Sequence, residues 1–265
     1  MQDALPRREE QPLAGNMDTS LLKVLALCLM LVDHLGATVL RGVYELRLIG
    51  RMAMPLYAWC IVVGSVKTRN TSRYLARLLV LGILSQPLYM LALNHTVERL
   101  NILFTLSLGL CGIWGLRARR YGSRLWAPIL CLLLASWLNV DYGWKGVLFV
   151  LVLYAARQTT GGLAAAFLAY GLFWGYASGG SPNSVLFGVT MPWVGVSWLN
   201  ELISPFFRTQ GMIWLSLPLI LLHTDSRLKL PHWLGYGLYP AHLVLLIIIK
   251  LLTGTAWSAM LAVFK

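Results

Sequence analysis

Apolar residues along this chain fall in long runs that are separated by short polar connectors. The runs carry hydrophobic side chains around the whole circumference of a helix, without the 3.6-residue stripe of an amphipathic surface helix. The predicted helices lie near residues 21–40, 48–66, 74–93, 101–116, 124–139, 144–156, 162–177, 184–203, 211–223 and 234–252. Such runs match the length of membrane-crossing segments, so the pattern predicts an all-α transmembrane bundle of about ten helices, with roughly eight to eleven as the range.

Three of these segments depart from a simple membrane span. Residues 144–156 and 211–223 are short against the roughly 20 residues that cross a bilayer. Residues 181–208 contain Pro182, Pro192 and Pro205, and proline interrupts the backbone hydrogen bonds of a helix. We therefore expect a broken or re-entrant segment in that region.

Composition excludes an ordinary soluble domain. Of the 265 residues, 58% are hydrophobic and 12% are charged, against roughly a quarter charged in an average soluble domain. No polar linker between the apolar runs suggests a second domain. The sequence predicts a disordered polar tail over residues 1–20, on the cytoplasmic side, and one transmembrane domain over residues 21–265.

The net charge of +12 comes from 22 basic and 10 acidic residues. In a soluble protein this surplus would favour nucleic acid, but here it lies in connectors, where it favours cytoplasmic loops and anionic lipid as partners. With the N-terminus in the cytoplasm, the cytoplasmic basic residues are Arg7, Arg8, Lys67, Arg69, Arg73, Arg77, Arg117, Arg119, Arg120 and Arg124. The opposite loops would hold Arg41, Arg47, Arg99, Lys145, Arg227 and Lys229. No nucleic acid is expected as a partner.

Asp33 and His34 interrupt the first apolar run, where ionisable groups are costly and mark functional sites. Lys23 opens the same helix, about 16 Å from His34 and on the same face, since eleven residues make nearly three turns. This geometry predicts Lys23 at the cytoplasmic surface and His34 near the middle of the membrane, either as a catalytic group or in a structural hydrogen bond. Asp33 points to another side of the helix, so we expect it to pair with a cation on a neighbouring helix.

Arg51 follows a glycine at the start of the second span and is the best candidate partner for Asp33 or for an anionic substrate, although it also suits a structural role. Further polar groups lie at or inside predicted helices: Gln86, Asn101, Asp141, Glu201 and His242. Each of these has a structural interpretation as a helix cap or interhelical hydrogen bond and a functional one as a substrate contact or a support for the catalytic residues.

Other chemistry finds little support in the sequence. The four cysteines, Cys28, Cys60, Cys111 and Cys131, lie in separate apolar runs and are interpreted as buried thiols. Neither of the two histidines inside apolar runs, His34 and His242, begins an HxxxH or HxxE spacing, so no metal site is predicted. It also lacks the GxSxG and GxxxxGK[ST] motifs of serine hydrolases and nucleotide-binding proteins. His95, His223 and His232 are interpreted as loop residues.

Six blocks of sequence, taken together, resemble one family. They are KVLALCLMLVDH at 23–34, IGRMAMPLY at 49–57, YLARL at 74–78, NILF at 101–104, Tyr142-Gly143 with Gly146, and YPAHL at 239–243. In this order, and spread over residues 20–250, they resemble the TraX family. The family is distantly similar to the membrane acyltransferase-three superfamily, in which a basic residue and a histidine lie eleven positions apart in the first helix. Lys23 and His34 keep that spacing, with lysine in place of arginine.

The resemblance implies a bacterial inner-membrane protein that acetylates the N-terminal amine of a pilin subunit, with acetyl-CoA as the donor. On this interpretation His34 is the general base, and Lys23, helped by Arg73 or Arg77, meets the phosphates of the donor. Arg51 or Gln86 would stabilise the oxyanion, and Asp33 would hold Arg51. The last block adds Tyr239 and His242 as supporting residues.

Two alternatives stay open at this point. The same machinery could acetylate a hydroxyl of a cell-envelope glycan or lipid-linked sugar, because the sequence does not separate these acceptors. A non-enzymatic transporter or pilus-assembly protein could use Asp33 and His34 to relay protons or to organise helices.

Overall fold

A computed structural model of the chain describes residues 13–118, 120–178, 185–186, 189–190, 196–228, 230–255 and 260–264. The predicted all-helical architecture is confirmed, apart from one pairing of two-residue strands. The α-helices are α1 (Thr19–Thr38), α2 (Tyr44–Gly50), α3 (Ala53–Lys67), α4 (Thr71–Leu93), α5 (Ile102–Ala118), α6 (Ser123–Trp137), α7 (Gly143–Ala156), α8 (Thr160–Ser178), α9 (Ser197–Ile203), α10 (Leu217–Leu221) and α11 (His232–Leu252). Three 3₁₀ helices cover Ser204–Phe207, Gly211–Ser216 and Ala262–Phe264. Seven of the predicted helices match within three residues at each end.

The predicted helix at 48–66 is instead divided into α2 and α3. Pro55 has no N–H, and its ring collides with the carbonyl of the residue four positions earlier, which is Arg51. The helix is accordingly interrupted at Arg51 and Met52. The interruption sets Arg51 at a turn inside the bundle, where only 5% of its surface is exposed.

The predicted helix at 184–203 is wrong over its first part. Strands β1 (Val185–Leu186) and β2 (Val189–Thr190) pair in antiparallel fashion, and only α9 at the end is helical. The predicted break is therefore present. Pro182 and Pro192 lie outside the described residues.

The elements run alternately between two ends of the bundle: a near end, where α1 begins, and a far end, where α1 ends. The path from Gly211 to Leu221 is a 3₁₀ helix followed by α10 rather than the single α-helix predicted at 211–223. A 3₁₀ helix rises about 2.0 Å per residue, so these eleven residues extend roughly 20 Å. The segment from Gly211 to Leu221 therefore extends from the far end to the near end although it contains only eleven residues.

Residues 13–18 pack against the near end, so the predicted tail is folded from residue 13 onward. The indole of Trp59 donates to the carbonyl of Asn16 at 2.7 Å, and Asn16 is 1% exposed. Asp18 caps α1 by accepting from the backbone N–H of Leu21 and also accepts from that of Ser226 at 2.8 Å. Residues 1–12 lie outside the described residues.

The contact between Asp18 and Ser226 also corrects one predicted loop. Arg227 follows Ser226 directly and therefore lies at the near end, whereas the sequence placed it with the opposite loops. The difference arises because the short path from Gly211 to Leu221 brings the chain back to the near end. Lys229 lies outside the described residues.

The outside of the bundle is apolar. Large hydrophobic side chains are exposed along α4, α6 and α11, among them Leu84, Leu133 and Leu252 at 69%, 63% and 81%. Within the part of the chain that the structure describes, three helical stretches are long and apolar enough to cross a membrane: Thr19–Thr38, Tyr44–Lys67 and Thr71–Leu93. Since water-soluble proteins rarely expose such continuous apolar surface, this exterior suits a lipid environment.

Glycines allow α1 and α2 to approach closely. A Cβ atom on Gly50 would lie 2.3 Å from the Cβ of Asp33, and one on Gly36 would lie 2.8 Å from the Cβ of Leu46. Both distances are too short for real side chains, so the crossing requires glycine at these positions.

We expect Gly50→Ala to lower the free energy of unfolding by about 1–3 kcal/mol, because the new methyl group forces α2 away from Asp33. Gly42→Ala is the matched control, since a Cβ there meets nothing within 4 Å. Thermal unfolding of the purified protein in detergent measures both. Equal stability of the two variants would contradict the close crossing.

Candidate functional site

A cavity of about 590 Å³ opens at the far end of the bundle. Its walls carry five basic and two acidic residues: Arg41, Arg47, Arg51, Arg99 and Lys145, with Asp33 and Asp141. Aromatic rings of Tyr89, Tyr142, Trp144, Trp174 and Tyr239 complete the lining. With neutral histidines the cavity has a surplus of three positive charges, which is unusual inside an apolar bundle.

Asp33 is the centre of the charged cluster. Its Oδ1 accepts a hydrogen bond from Nη2 of Arg51 at 2.5 Å, and its Oδ2 accepts one from Nη1 of Arg47 at 3.1 Å. Asp33 and Arg51 are each 5% exposed, whereas the Arg47 side chain is 31% exposed. The predicted pairing of Asp33 with a cation on a neighbouring element is therefore present, and it involves two arginines.

His34 lines the far-end cavity beside this cluster. Its Nδ1 lies 3.7 Å from Oδ2 of Asp33, which is close but too long for a hydrogen bond. The residue lies four positions before the end of α1, which is about 6 Å from that end. His34 therefore lies in the second half of α1, as the sequence indicated, and the helix begins and ends two residues earlier than predicted.

His242 of α11 lies directly behind His34. The two rings are stacked with centroids 5.7 Å apart and planes 19° apart, and the ring of Tyr239 meets that of His242 edge-on at 5.1 Å. His242 is 4% exposed, and neither ring nitrogen has a hydrogen-bond partner among the described residues. The fold thus brings together two histidines that the sequence identified separately.

These groups do not form a metal-binding cluster. In the described part of the chain, no set of three or more histidine, cysteine, aspartate or glutamate side chains is arranged to hold a metal ion.

A second, smaller cavity of about 220 Å³ lies at the near end. Lys23 lines it, together with mostly apolar and aromatic side chains that include Tyr57 and Tyr74. Tyr239 lines both cavities. Lys23 and His34, about 16 Å apart along one face of α1, therefore contribute to different cavities, and Tyr239 lies between the two.

Gln86 and Asn101 fasten the end of α4 to the start of α5. The amide of Asn101 donates to the carbonyl of Gly82 at 2.8 Å and to Oε1 of Gln86 at 2.9 Å. Nε2 of Gln86 donates to the carbonyl of Arg99 at 2.8 Å. Both side chains are engaged in holding the backbone, which is the structural interpretation that the sequence left open.

Asp141 lines the far-end cavity and pairs with Arg99, whose Nη2 lies 3.1 Å from its Oδ1. Three other predicted residues are not brought to this cavity. Glu201 is exposed on the short helix α9, which has no buried residue, and is not inside a span as predicted. Arg73 and Arg77 are exposed on α4 at the near end.

Several cavity residues escaped the sequence interpretation. The sequence predicts Arg41, Arg99 and Lys145 in connectors and His95 in a loop, yet all four line the far-end cavity. The ring of His95 packs against that of Tyr89 at 5.3 Å. Partial burial and the charge of Arg99 lower the pKa of His95, which keeps its ring neutral near pH 7. One signal in the sequence could have identified these residues. Successive helices cross the bundle in opposite directions, so every second connector lies at the same end.

Comparison with known proteins gives one family match and two similar proteins. The model of the TraX protein family matches residues 18–250. A probable fimbrial assembly protein, FimC of Dichelobacter nodosus serogroup H1, is 35% identical over 157 residues, which cover 53% of this chain and 64% of that protein. An uncharacterised protein of Rickettsia prowazekii is 28% identical over 143 residues, covering 52% of this chain and 55% of that protein. The matches thus span less than two thirds of either relative, and no solved structure matches.

The cluster around Asp33 generates a prediction about stability. We expect Asp33→Ala to lower the free energy of unfolding by about 3–5 kcal/mol, because it leaves two arginines without their shared carboxylate. Arg51→Ala should cost less, since Arg47 still neutralises Asp33, and Arg47→Ala should cost least because that side chain reaches water. Thermal unfolding of the three purified variants gives the order.

A double-mutant cycle of Asp33→Ala with Arg51→Ala separates pairing from packing. The double variant should be more stable than the sum of the two single losses predicts, because neither group is left buried alone. Simple addition of the two losses would mean that the residues are not coupled.

Proposed function

Because the chain belongs to the TraX family, we propose that it acts in pilus or fimbrial assembly as a membrane acetyltransferase. The acetyl group moves from acetyl-CoA to the N-terminal amine of a pilin subunit: the amine nitrogen bonds to the acetyl carbon, the C–S bond of the thioester breaks, and CoA leaves as the thiol with the proton that the amine loses. The observation that carries this proposal is that one face of α1 presents the cation of Lys23 to the near-end cavity and the imidazole of His34 to the far-end cavity. This arrangement suits a transferase that takes its donor from one side and its acceptor from the other.

The bundle spans the bacterial inner membrane with its near end in the cytoplasm. Its apolar exterior suits lipid, and the near end collects the basic connectors, as the positive-inside rule requires. These residues include Lys67, Arg69, Arg73, Arg77, Arg117, Arg120, Arg124 and Arg227. Acetyl-CoA is a cytoplasmic metabolite, so the donor meets the near end and the acceptor meets the far end.

The near-end cavity suits the donor. It is narrow and largely apolar, which fits a pantetheine arm, and Lys23 is its cation. Arg73 and Arg77 are exposed on α4 at the same end, where they can meet phosphates outside the cavity. Acetyl-CoA supplies the acetyl group as an activated thioester.

The far-end cavity carries the residues for transfer. His34 accepts the proton that the attacking amine must lose, since a neutral imidazole is a base near physiological pH. Arg51 lines the cavity, and its guanidinium suits an oxyanion because it stays charged and offers several donors. Gln86 is not assigned this role, because its amide group already makes hydrogen bonds to Arg99 and Asn101. Asp33 holds the guanidinium of Arg51 in position.

The direct test is the intact mass of pilin purified from cells with and without this gene. We expect the pilin from cells that carry the gene to be heavier by one acetyl group, located on its N-terminal amine. An unchanged pilin mass would contradict the proposal, and new acetylation of an envelope glycan would instead identify the alternative acceptor.

We expect His34→Ala to lower pilin acetylation about a hundredfold or more, because loss of a general base costs that much in other enzymes. Membrane insertion should be unchanged, since removal of one imidazole makes the helix more apolar. His223→Ala is the control, because His223 is exposed at the near end. Full activity of the His34 variant, with normal amounts of protein in the membrane, would remove His34 from the mechanism.

We expect Lys23→Ala to raise the KM for acetyl-CoA about tenfold with little change in kcat, because a charge-assisted contact to a phosphate is lost. Lys23→Arg should preserve the KM, since arginine offers the same charge. Steady-state kinetics with purified protein distinguishes the two. A fall in kcat with unchanged KM would assign Lys23 to another step.

A further inference from the structure

We propose that the far-end cavity recognises a carboxylate on the acceptor peptide, close behind the amine that is acetylated. This inference rests on the proposed function and adds the substrate class of the same site. It follows from the distribution of charge and exposure in the cavity.

The carboxylates inside the cavity neutralise only some of its basic side chains. Asp33 is shared by Arg47 and Arg51, and Asp141 pairs with Arg99. Arg41 and Lys145 have no carboxylate partner among the described residues, and Nζ of Lys145 donates only to the carbonyl of Ala177 at 3.1 Å. The positive surplus therefore persists in the cavity and attracts an anion.

The exposure of the basic side chains rises from the floor of the cavity to its mouth. Arg51 is buried, the Arg47 side chain is 31% exposed, and Arg41 is exposed in the turn after α1. This gradient gives a positive potential that leads inward from solvent, so an anionic group is guided toward the mouth and held there.

The distance between His34 and Arg41 limits where the carboxylate lies. His34 is about 6 Å from the end of α1, and Arg41 lies three residues beyond that end, in the following turn. An extended peptide covers roughly 3.3–3.6 Å per residue. A carboxylate within the first few residues of the acceptor therefore comes near Arg41 when the N-terminal amine reaches His34.

The same charges discriminate against basic acceptors. A lysine near the amine would face a cavity that already carries surplus positive charge, and like charges brought together at a binding surface are unfavourable. The preference should weaken as the ionic strength rises, because salt screens interactions at the exposed mouth.

The experiment compares three hexapeptides as acceptors for the purified full-length protein with acetyl-CoA. They are Ala-Gly-Asp-Asp-Ser-Gly, its Asn-Asn counterpart and its Lys-Lys counterpart. We expect kcat/KM for the aspartate peptide to exceed that for the asparagine peptide about tenfold, mainly through KM, and the lysine peptide to be poorest. Arg41→Gln and Lys145→Gln should each reduce this preference about threefold or more. Arg124→Gln, which removes an exposed charge at the near end, is the matched control.

A binding measurement keeps this inference separate from the proposed function. The aspartate and asparagine peptides, labelled with a fluorophore at the C-terminus, are titrated with the protein without acetyl-CoA. If no peptide is acetylated but the aspartate peptide binds about tenfold more tightly, and Arg41→Gln removes the difference, carboxylate recognition stands and the acetyltransferase proposal falls.

Three results would overturn the inference. The first is acetylation of the aspartate and asparagine peptides with equal kcat/KM, which would leave the acetyltransferase intact. The second is a change in the KM for acetyl-CoA, instead of that for the peptide, in the Arg41 and Lys145 variants, which would assign the surplus charge to the donor phosphates. The third is the absence of any charge preference in both transfer and binding.

Discussion

A carboxylate buried inside an apolar bundle must be neutralised, and the architecture around Asp33 follows from that requirement. Arg51 binds Asp33 from the point where Pro55 interrupts the helix, and Gly50 lets α2 lie against the backbone of Asp33. The same crossing leaves His34, the next residue of α1, against the cavity. One ion pair, one proline and one glycine thus determine where the imidazole lies.

The interior is divided into two compartments by aromatic rings. Tyr239 lines both cavities, and its ring leads through His242 to His34. In the proposed reaction, donor and acceptor have to meet at one point without opening a continuous path for water or ions through the membrane. A stack of buried rings between a narrow apolar cavity and a wide cationic one meets that requirement, and it places Tyr239 where the two substrates of the proposed reaction approach each other.

Basic residues have two separate uses in this molecule. Those at the near end lie in connectors, where the return of the chain through Gly211–Leu221 adds Arg227 and strengthens the asymmetry of charge. Those at the far end, such as Arg47 and Arg99, line a cavity and pair with its carboxylates. A count of loop charges treats the two groups alike, although in the proposed topology the first orients the protein in the membrane and the second forms its candidate site.

The sequence by itself determined the helical architecture, the approximate bounds of seven helices, and the burial of four ionisable side chains, those of Asp33, His34, Arg51 and His242. These inferences depend on local properties: apolar run length, and the cost of an ionisable group within such a run. It did not determine that His34 stacks on His242, that Asp33 binds two arginines, or that Arg41, Arg99 and Lys145 share one cavity with them. It also failed for Glu201, whose apolar surroundings in the sequence belong to a short exposed helix. Contacts between α1 and α11, about 200 residues apart, depend on how the helices pack, and a local pattern contains no information about which helix face meets which.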